Sequence, residues 1–199
     1  MAVYYPAFLD LRGRRCLVVG GGDVAERKVS GLLDAGATVC VVSPHVTVAL
    51  AALGGAGIIE HRARRFRRYD VRGTVLVVAA TGVEAVDAAV ATAARRIKAL
   101  VNVVDVPAAC DFILPSVLRR GDLQIAVSTG GKSPALAREI RRRLEAEFGE
   151  ECAAVVEWAG QERARVLASA RPPIARRRGA ERVAAIALHR LKQPSSTPR

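Results

Sequence analysis

The sequence predicts an α/β fold: a parallel, doubly wound sheet first, then an antiparallel segment, then helices. Three observations carry this. Between about residues 15 and 104, short apolar or β-branched runs alternate with stretches of helical spacing, the pattern of a parallel sheet with crossover helices. The first run breaks into three glycines at the mouth of a helix. After Pro107 the alternation stops, and two apolar stretches face each other across "RRGD", a hairpin signal.

The elements follow in order. Residues 15–19 are a short apolar run between charge and glycine, which reads as a buried strand. From Val24 the apolar positions Ala25, Val29, Leu32 and Leu33 fall at helical spacing, and Gly36 ends that helix. Residues 38–42 are a second β-branched strand, 47–53 a helix, 58–61 a third strand and 74–80 a fourth. A helix over 85–97 and a fifth strand over 100–104 complete the alternation. The hairpin follows, and then a helix from Ser133 to about Phe148, with Ser133 at the N-cap and Pro134 at the first helical position. Residues 151–168 and 179–191 read as two further helices separated by Arg171, Pro172 and Pro173. The Pro- and Ser-rich residues 193–199 read as a disordered tail. The resulting domains are 1–113, 114–149, 150–192 and the tail 193–199.

Composition narrows the class. Of 199 residues 51% are hydrophobic but only 4% aromatic, so the core is built from Val, Leu, Ile and Ala. No apolar run reaches the roughly 20 residues that span a bilayer, and the N-terminus lacks the charged-then-apolar order of a signal peptide. A soluble, cytoplasmic protein with no membrane partner is expected. The four cysteines, Cys16, Cys40, Cys110 and Cys152, form no close pair and hence no zinc knuckle or redox motif. With histidine only at 45, 61 and 189, no metal-ligand cluster is visible either. The net charge of +12 comes from arginine clusters at 62–68, 141–143 and 176–178. These read either as solvated helix faces or as a surface for nucleic acid, an acidic membrane or a polyanionic small molecule. No aromatic–basic interleaving or helix-turn-helix pattern points to nucleic acid.

The glycines carry the first functional signal. Gly20, Gly22 and Ala25 make G-x-G-x-x-A between a strand and a helix, the context that the dinucleotide fingerprint requires. The first glycine permits a tight turn, the second lets the backbone approach a pyrophosphate, and the small third residue lets helix and strand pack closely. The N–H groups of the first helical turn, from Asp23 and Val24 on, then face the phosphates. The acidic residue expected some twenty positions on, which would bind the ribose, is replaced by Ser43, Pro44 and His45. Ser43 or the backbone is left to hold the ribose, and the turn leaves NAD and NADP both open. His45 also reads as a plain surface residue.

Four stretches extend the signal: "VVGGGDVAERK" (18–28), "VVAAT" (77–81), "VNVVDVPAACDFILPS" (101–116) and "AVSTGGKSPALAR" (126–138). In order and spacing they resemble the precorrin-2 dehydrogenases, which include the N-terminal module of sirohaem synthase. The resemblance implies a Rossmann-like parallel sheet domain, an antiparallel and helical dimerisation region, and a small helical domain. It also implies NAD-dependent oxidation of precorrin-2, a polycarboxylate tetrapyrrole, to sirohydrochlorin. Some members go on to insert ferrous iron as a chelatase (a lyase activity), which the resemblance leaves open here. The cofactor set it implies is Gly20, Gly22, Asp23, Val24, Ser43, Pro44, His45, Thr81 and Asn102.

By the same resemblance Asp105 is the catalytic carboxylate. Its place after the fifth strand suits this, because ligands bind at the carboxyl ends of such strands. Read alone, it is also a loop cap before Pro107. "STGGKSP" reads alone as a glycine-rich turn that presents N–H groups to an anion, which makes Ser128, Thr129, Gly130 and Lys132 the substrate candidates. Ser128 and Thr129 read equally as turn hydroxyls, and Lys132 as a solvated charge. The apolar runs between Asp111 and Ser128 are hard for a small domain to cover alone, so a homodimer is expected. The competing reading is a non-catalytic NAD(H)-binding redox sensor, which has no use for Asp105 or an anion site.

Overall fold

A computed structural model describes residues 4–169 and 172–192. The tail 193–199 and Arg171 lie outside the described residues. The chain divides into two units, Met1–Ile113 and Leu114–Arg199.

The first unit is the doubly wound sheet. Strands β1 (Arg15–Val19), β2 (Thr38–Val42), β3 (Glu60–Arg62), β4 (Leu76–Ala79) and β5 (Leu100–Val103) lie in the order β3-β2-β1-β4-β5. Every neighbouring pair is parallel, as the alternation predicts. Helices α1 (Asp23–Asp34), α2 (Val48–Gly55) and α3 (Glu84–Arg96) make the crossovers. Successive strand residues point to opposite faces, and the core divides accordingly. Cys16, Val18, Val39, Val41 and Val78 pack with Ala25, Val29 and Leu32 of α1 and Leu50 of α2. Leu17, Val19, Cys40, Val42, Val77, Val101 and Val103 pack with Val90, Ala91 and Ala94 of α3. Each fully buried Val or Leu contributes roughly 1.5–3 kcal/mol, so the small aliphatic side chains suffice without aromatics.

Two strands start two residues later than the sequence predicts. The third strand starts at Glu60, because the N–H groups of Ile58 and Ile59 turn back to the Leu53 carbonyl at 3.0 and 3.4 Å and close α2. The fourth starts at Leu76, because the Thr74 N–H and hydroxyl are taken by the Val71 carbonyl at 3.1 and 2.7 Å. That carbonyl ends a 3₁₀ turn, Arg68–Val71, that periodicity did not reveal. The arginines before it have a structural use. The Asp70 side chain is fully buried and receives Arg62 at 2.8 Å, Arg64 at 2.6 Å and the Arg67 N–H at 2.8 Å.

In the second unit, β6 (Ser116–Arg120) and β7 (Leu123–Val127) form the antiparallel hairpin about Gly121 and Asp122. Helix α4 (Pro134–Glu147) starts as read, with the Ser133 hydroxyl accepting the Leu136 N–H at 3.2 Å, and packs on both strands. Helices α5 (Cys152–Ala168) and α6 (Pro173–Lys192) pack as a pair, with the Arg190 guanidinium 3.8 Å from the Trp158 ring centre. The expected start of the last helix at Gly179 is corrected. It starts at Pro173, and Gly179 lies inside it. A β-carbon on Gly179 would stand 2.7 Å from Val166 Cγ1, so the glycine marks close helix contact and not a boundary.

Candidate functional site

The carboxyl ends of the parallel strands carry the loops that matter in the first unit. Gly20 follows β1 with φ +129, a conformation that glycine alone adopts readily. A β-carbon there would collide with the Ala80 carbonyl beyond β4. Gly21 is closed in the same way by the His45 carbonyl, the Ser43 hydroxyl and Val46. Gly22 is different. It caps α1 with ordinary extended backbone, no side chain caps the helix, and a β-carbon would have no protein atom within 4 Å. The first two glycines are thus required by the chain's own packing. The third faces open space, where the uncapped N–H groups of Asp23 and Val24 sit at the positive end of the helix dipole.

The turn after β2 is strapped to that loop. The Thr47 N–H donates to the Gly21 carbonyl at 2.9 Å, and the Thr47 hydroxyl donates to Glu26 of α1 at 2.5 Å. Ser43 is buried and donates its hydroxyl to the His45 carbonyl at 2.6 Å. Its donor is therefore spent on the turn, and the exposed surface consists of Pro44 and His45. Beyond β4, Thr81 is held by the buried Asp87, which accepts the Thr81 N–H at 3.2 Å and hydroxyl at 2.8 Å. Asn102 lies within β5, buried, with its amide N–H₂ donating to the Phe112 carbonyl at 3.0 Å. Sequence reasoning groups Asn102 with the cofactor; its amide is engaged with its own chain.

Asp105 sits exposed in the turn after β5. Its φ of +60 is left-handed, which costs an L-residue roughly 1–2 kcal/mol. Lys98 shares that geometry among the described residues, but it ends α3, where such a residue is ordinary. No side chain caps the following 3₁₀ turn, Pro107–Ala109, so Asp105 is not acting as its cap. One neighbour that sequence reasoning missed is Lys28, on α1. Burial and Arg27 push the pKa of its half-buried ammonium down, and the charge of Asp105 opposes them. The signal lay inside the quoted motif "AERK", but only the fold brings it to the Asp105 turn.

The remaining candidates belong to the second unit. Gly130 and Gly131 have φ +62 and +83, and a β-carbon on either would meet nothing within 4 Å. The Ser128 hydroxyl accepts the Gly130 N–H at 3.1 Å and the Thr129 hydroxyl accepts the Ser133 N–H at 3.0 Å. Both hydroxyls therefore shape the turn, while Lys132 is exposed.

A family model described as "Putative NAD(P)-binding" matches residues 7–116, and one described as "Sirohaem biosynthesis protein central" matches residues 120–147. The chain is 46% identical over 179 residues to a siroheme synthase of Methylococcus capsulatus, covering 90% of this chain and 38% of that protein. It is 49% identical over 144 residues to a siroheme synthase of Nitrosomonas eutropha, covering 72% of this chain and 30% of that protein. The chain thus spans between 30% and 38% of the length of these two relatives. Among solved structures it is similar to SirC, a precorrin-2 dehydrogenase, with a TM-score of 0.76 and 25% identity over 95% of this chain and 99% of that one.

Proposed function

Because the chain belongs to the family described as putative NAD(P)-binding and is similar to siroheme synthases over most of its length, we propose that it binds NAD and oxidises precorrin-2 to sirohydrochlorin. The observation that carries this reading is one edge of one sheet. It holds an open, uncapped helix start at Gly22 after β1 and an exposed carboxylate at Asp105 after β5. With strand order β1-β4-β5, the two loops lie two strand spacings apart, roughly 10 Å. A dinucleotide across that edge has its pyrophosphate at Gly20, Gly22, Asp23 and Val24 and its adenosine ribose at the turn of Ser43, Pro44 and His45. Its redox end then lies toward Thr81, Asn102 and Asp105.

The nicotinamide, when bound, supplies a hydride acceptor. The chain's own residues do the rest. The Asp105 carboxylate takes at one of its oxygens the proton that the substrate loses along with the hydride. Lys28 offers a positive charge beside it to a substrate carboxylate. In the second unit, the exposed Lys132 ammonium at the turn of Ser128, Thr129 and Gly130 is suited to a carboxylate.

We infer further that the region 114–149 forms a homodimer and that 150–192 is a small helical domain. The protein works in the cytoplasm, where its four free thiols stay reduced; among the described residues no helix is long and apolar enough to cross a membrane. Ferrous iron is a second substrate, inserted into the sirohydrochlorin made.

The test is direct. Incubation with precorrin-2 and NAD is expected to give NADH and the sirohydrochlorin spectrum, and added Fe²⁺ is expected to convert that spectrum to sirohaem. Tight NAD binding without turnover would replace the enzyme by a redox sensor. A spectrum unchanged by Fe²⁺ would remove the chelatase step alone. Sedimentation equilibrium showing a monomer at micromolar concentration would remove the dimer.

A further inference from the structure

Strand β5 ends the sheet, and an edge strand leaves outward N–H and C=O groups without a strand partner. Here residues 110 and 111 take that place. Val101 donates its N–H to Asp111 Oδ2 at 3.0 Å and accepts the Asp111 N–H at 2.8 Å. Val103 donates its N–H to Cys110 Sγ at 3.2 Å, and the thiol lies 3.1 Å from the Val103 carbonyl, to which it donates. The buried Asn102 amide spans the same clasp, reaching Cys110 Sγ at 3.4 Å and the Phe112 carbonyl at 3.0 Å.

The clasp closes a short loop whose second residue is Asp105. Val103 is the point where the supports converge. Its carbonyl also accepts the Val106 N–H at 3.3 Å, the hydrogen bond that folds the turn around Asp105. An Asp at φ +60 persists only where the surrounding structure holds it. A methyl group at 110 would leave the Val103 N–H without its acceptor and loosen one end of that turn.

We propose that Cys110, with Asn102 behind it, is a positioning residue that fixes the direction of the Asp105 carboxylate. This rests on the reading of Asp105 as the proton acceptor. The thiol touches neither substrate nor cofactor; it acts by pairing both polar groups of Val103.

The test uses the full chain with precorrin-2 and NAD. Cys110→Ala is expected to lower kcat by roughly tenfold to a hundredfold, the scale of a displaced reacting group, with the Kd for NAD unchanged. Cys110→Ser, which keeps a donor and an acceptor, recovers most of the loss. Cys110→Val fills the space without either, covers the case in which the alanine variant does not fold, and is expected to be as slow as alanine. In an Asp105→Asn background, Cys110→Ala is expected to cost nothing further. Equal losses in both backgrounds, or wild-type kcat in Cys110→Val, would overturn the positioning role while leaving Asp105 in place. A wild-type rate for Asp105→Asn alone would instead overturn the Asp105 reading, and the positioning role with it.

Discussion

Gly21 packs so closely on the carbonyl of His45 that a β-carbon between them would collide with the oxygen. Its neighbour Gly22 has no protein atom within 4 Å of the same position. The two adjacent glycines therefore answer to different partners, and substitution separates them. Gly21→Ala is expected to destabilise the protein by about 1–3 kcal/mol, the usual cost of overpacking. Gly22→Asp is expected to keep the melting temperature and abolish NAD binding, because a side chain and a negative charge meet the pyrophosphate. Thermal denaturation and calorimetric titration with NAD check the pair. Unchanged NAD affinity in folded Gly22→Asp would place the cofactor elsewhere.

Asp105→Asn keeps the shape of the turn and removes the proposed base. Turnover of precorrin-2 is expected to fall by roughly 10²- to 10⁴-fold, with NAD binding intact because the proposed phosphate contacts lie two strands away. Steady-state rates and NAD titration on the same preparation check this. If iron insertion into supplied sirohydrochlorin falls equally, one carboxylate serves both reactions; if it does not, they use different groups.

Asp70 sets an acid limit on stability. Burial alone raises its pKa, but the Arg64 guanidinium, the Arg67 N–H and Arg62 outweigh burial and hold the carboxyl below its usual value. A carboxyl depressed in the folded state stabilises above its unfolded pKa of about 4, and that contribution is lost as pH falls below it. Asp70→Asn leaves two guanidiniums facing a neutral amide. It is expected to cost on the order of 3 kcal/mol at neutral pH and to flatten the fall in stability between about pH 5 and 2. Urea denaturation across that range decides it; a variant as acid-sensitive as the wild type would assign the limit to other carboxylates.

Gly179 is expected to resist enlargement. Gly179→Leu pushes against Val166 across the α5–α6 contact and should cost about 1–3 kcal/mol, although leucine is the better helix former by somewhat under 1 kcal/mol. Denaturant midpoints measure the balance. Stabilisation would mean that the helix pair yields at no cost.

The buried thiols should be silent. Burial raises Cys16 and Cys40 each to about 11, so few thiolates exist at neutral pH to react. Mass spectrometry after brief alkylation of the native protein is expected to find both unmodified, and both labelled once the chain is unfolded. Rapid native labelling would contradict their place in the sheet.

The order of elements was legible in the sequence because each depends on residues close along the chain. Val-rich runs, helical spacing from Val24 and the Ser133-Pro134 cap act within a few residues, and the three glycines announce a strand-to-helix turn wherever it lies. The start of the last helix was not legible, because Gly179 answers to Val166 on another helix and not to its own neighbours. The site divides in the same way. That Gly22 and Asp105 both follow strands could be read directly. That Gly21 is reserved for His45, that Asn102 and Cys110 complete the edge of β5, and that Lys28 comes to the Asp105 turn could not. Those pairings join residues that are far apart or indifferent to each other in sequence, and they exist only because parallel strands bring successive carboxyl ends to one edge, where exposed backbone groups must find partners.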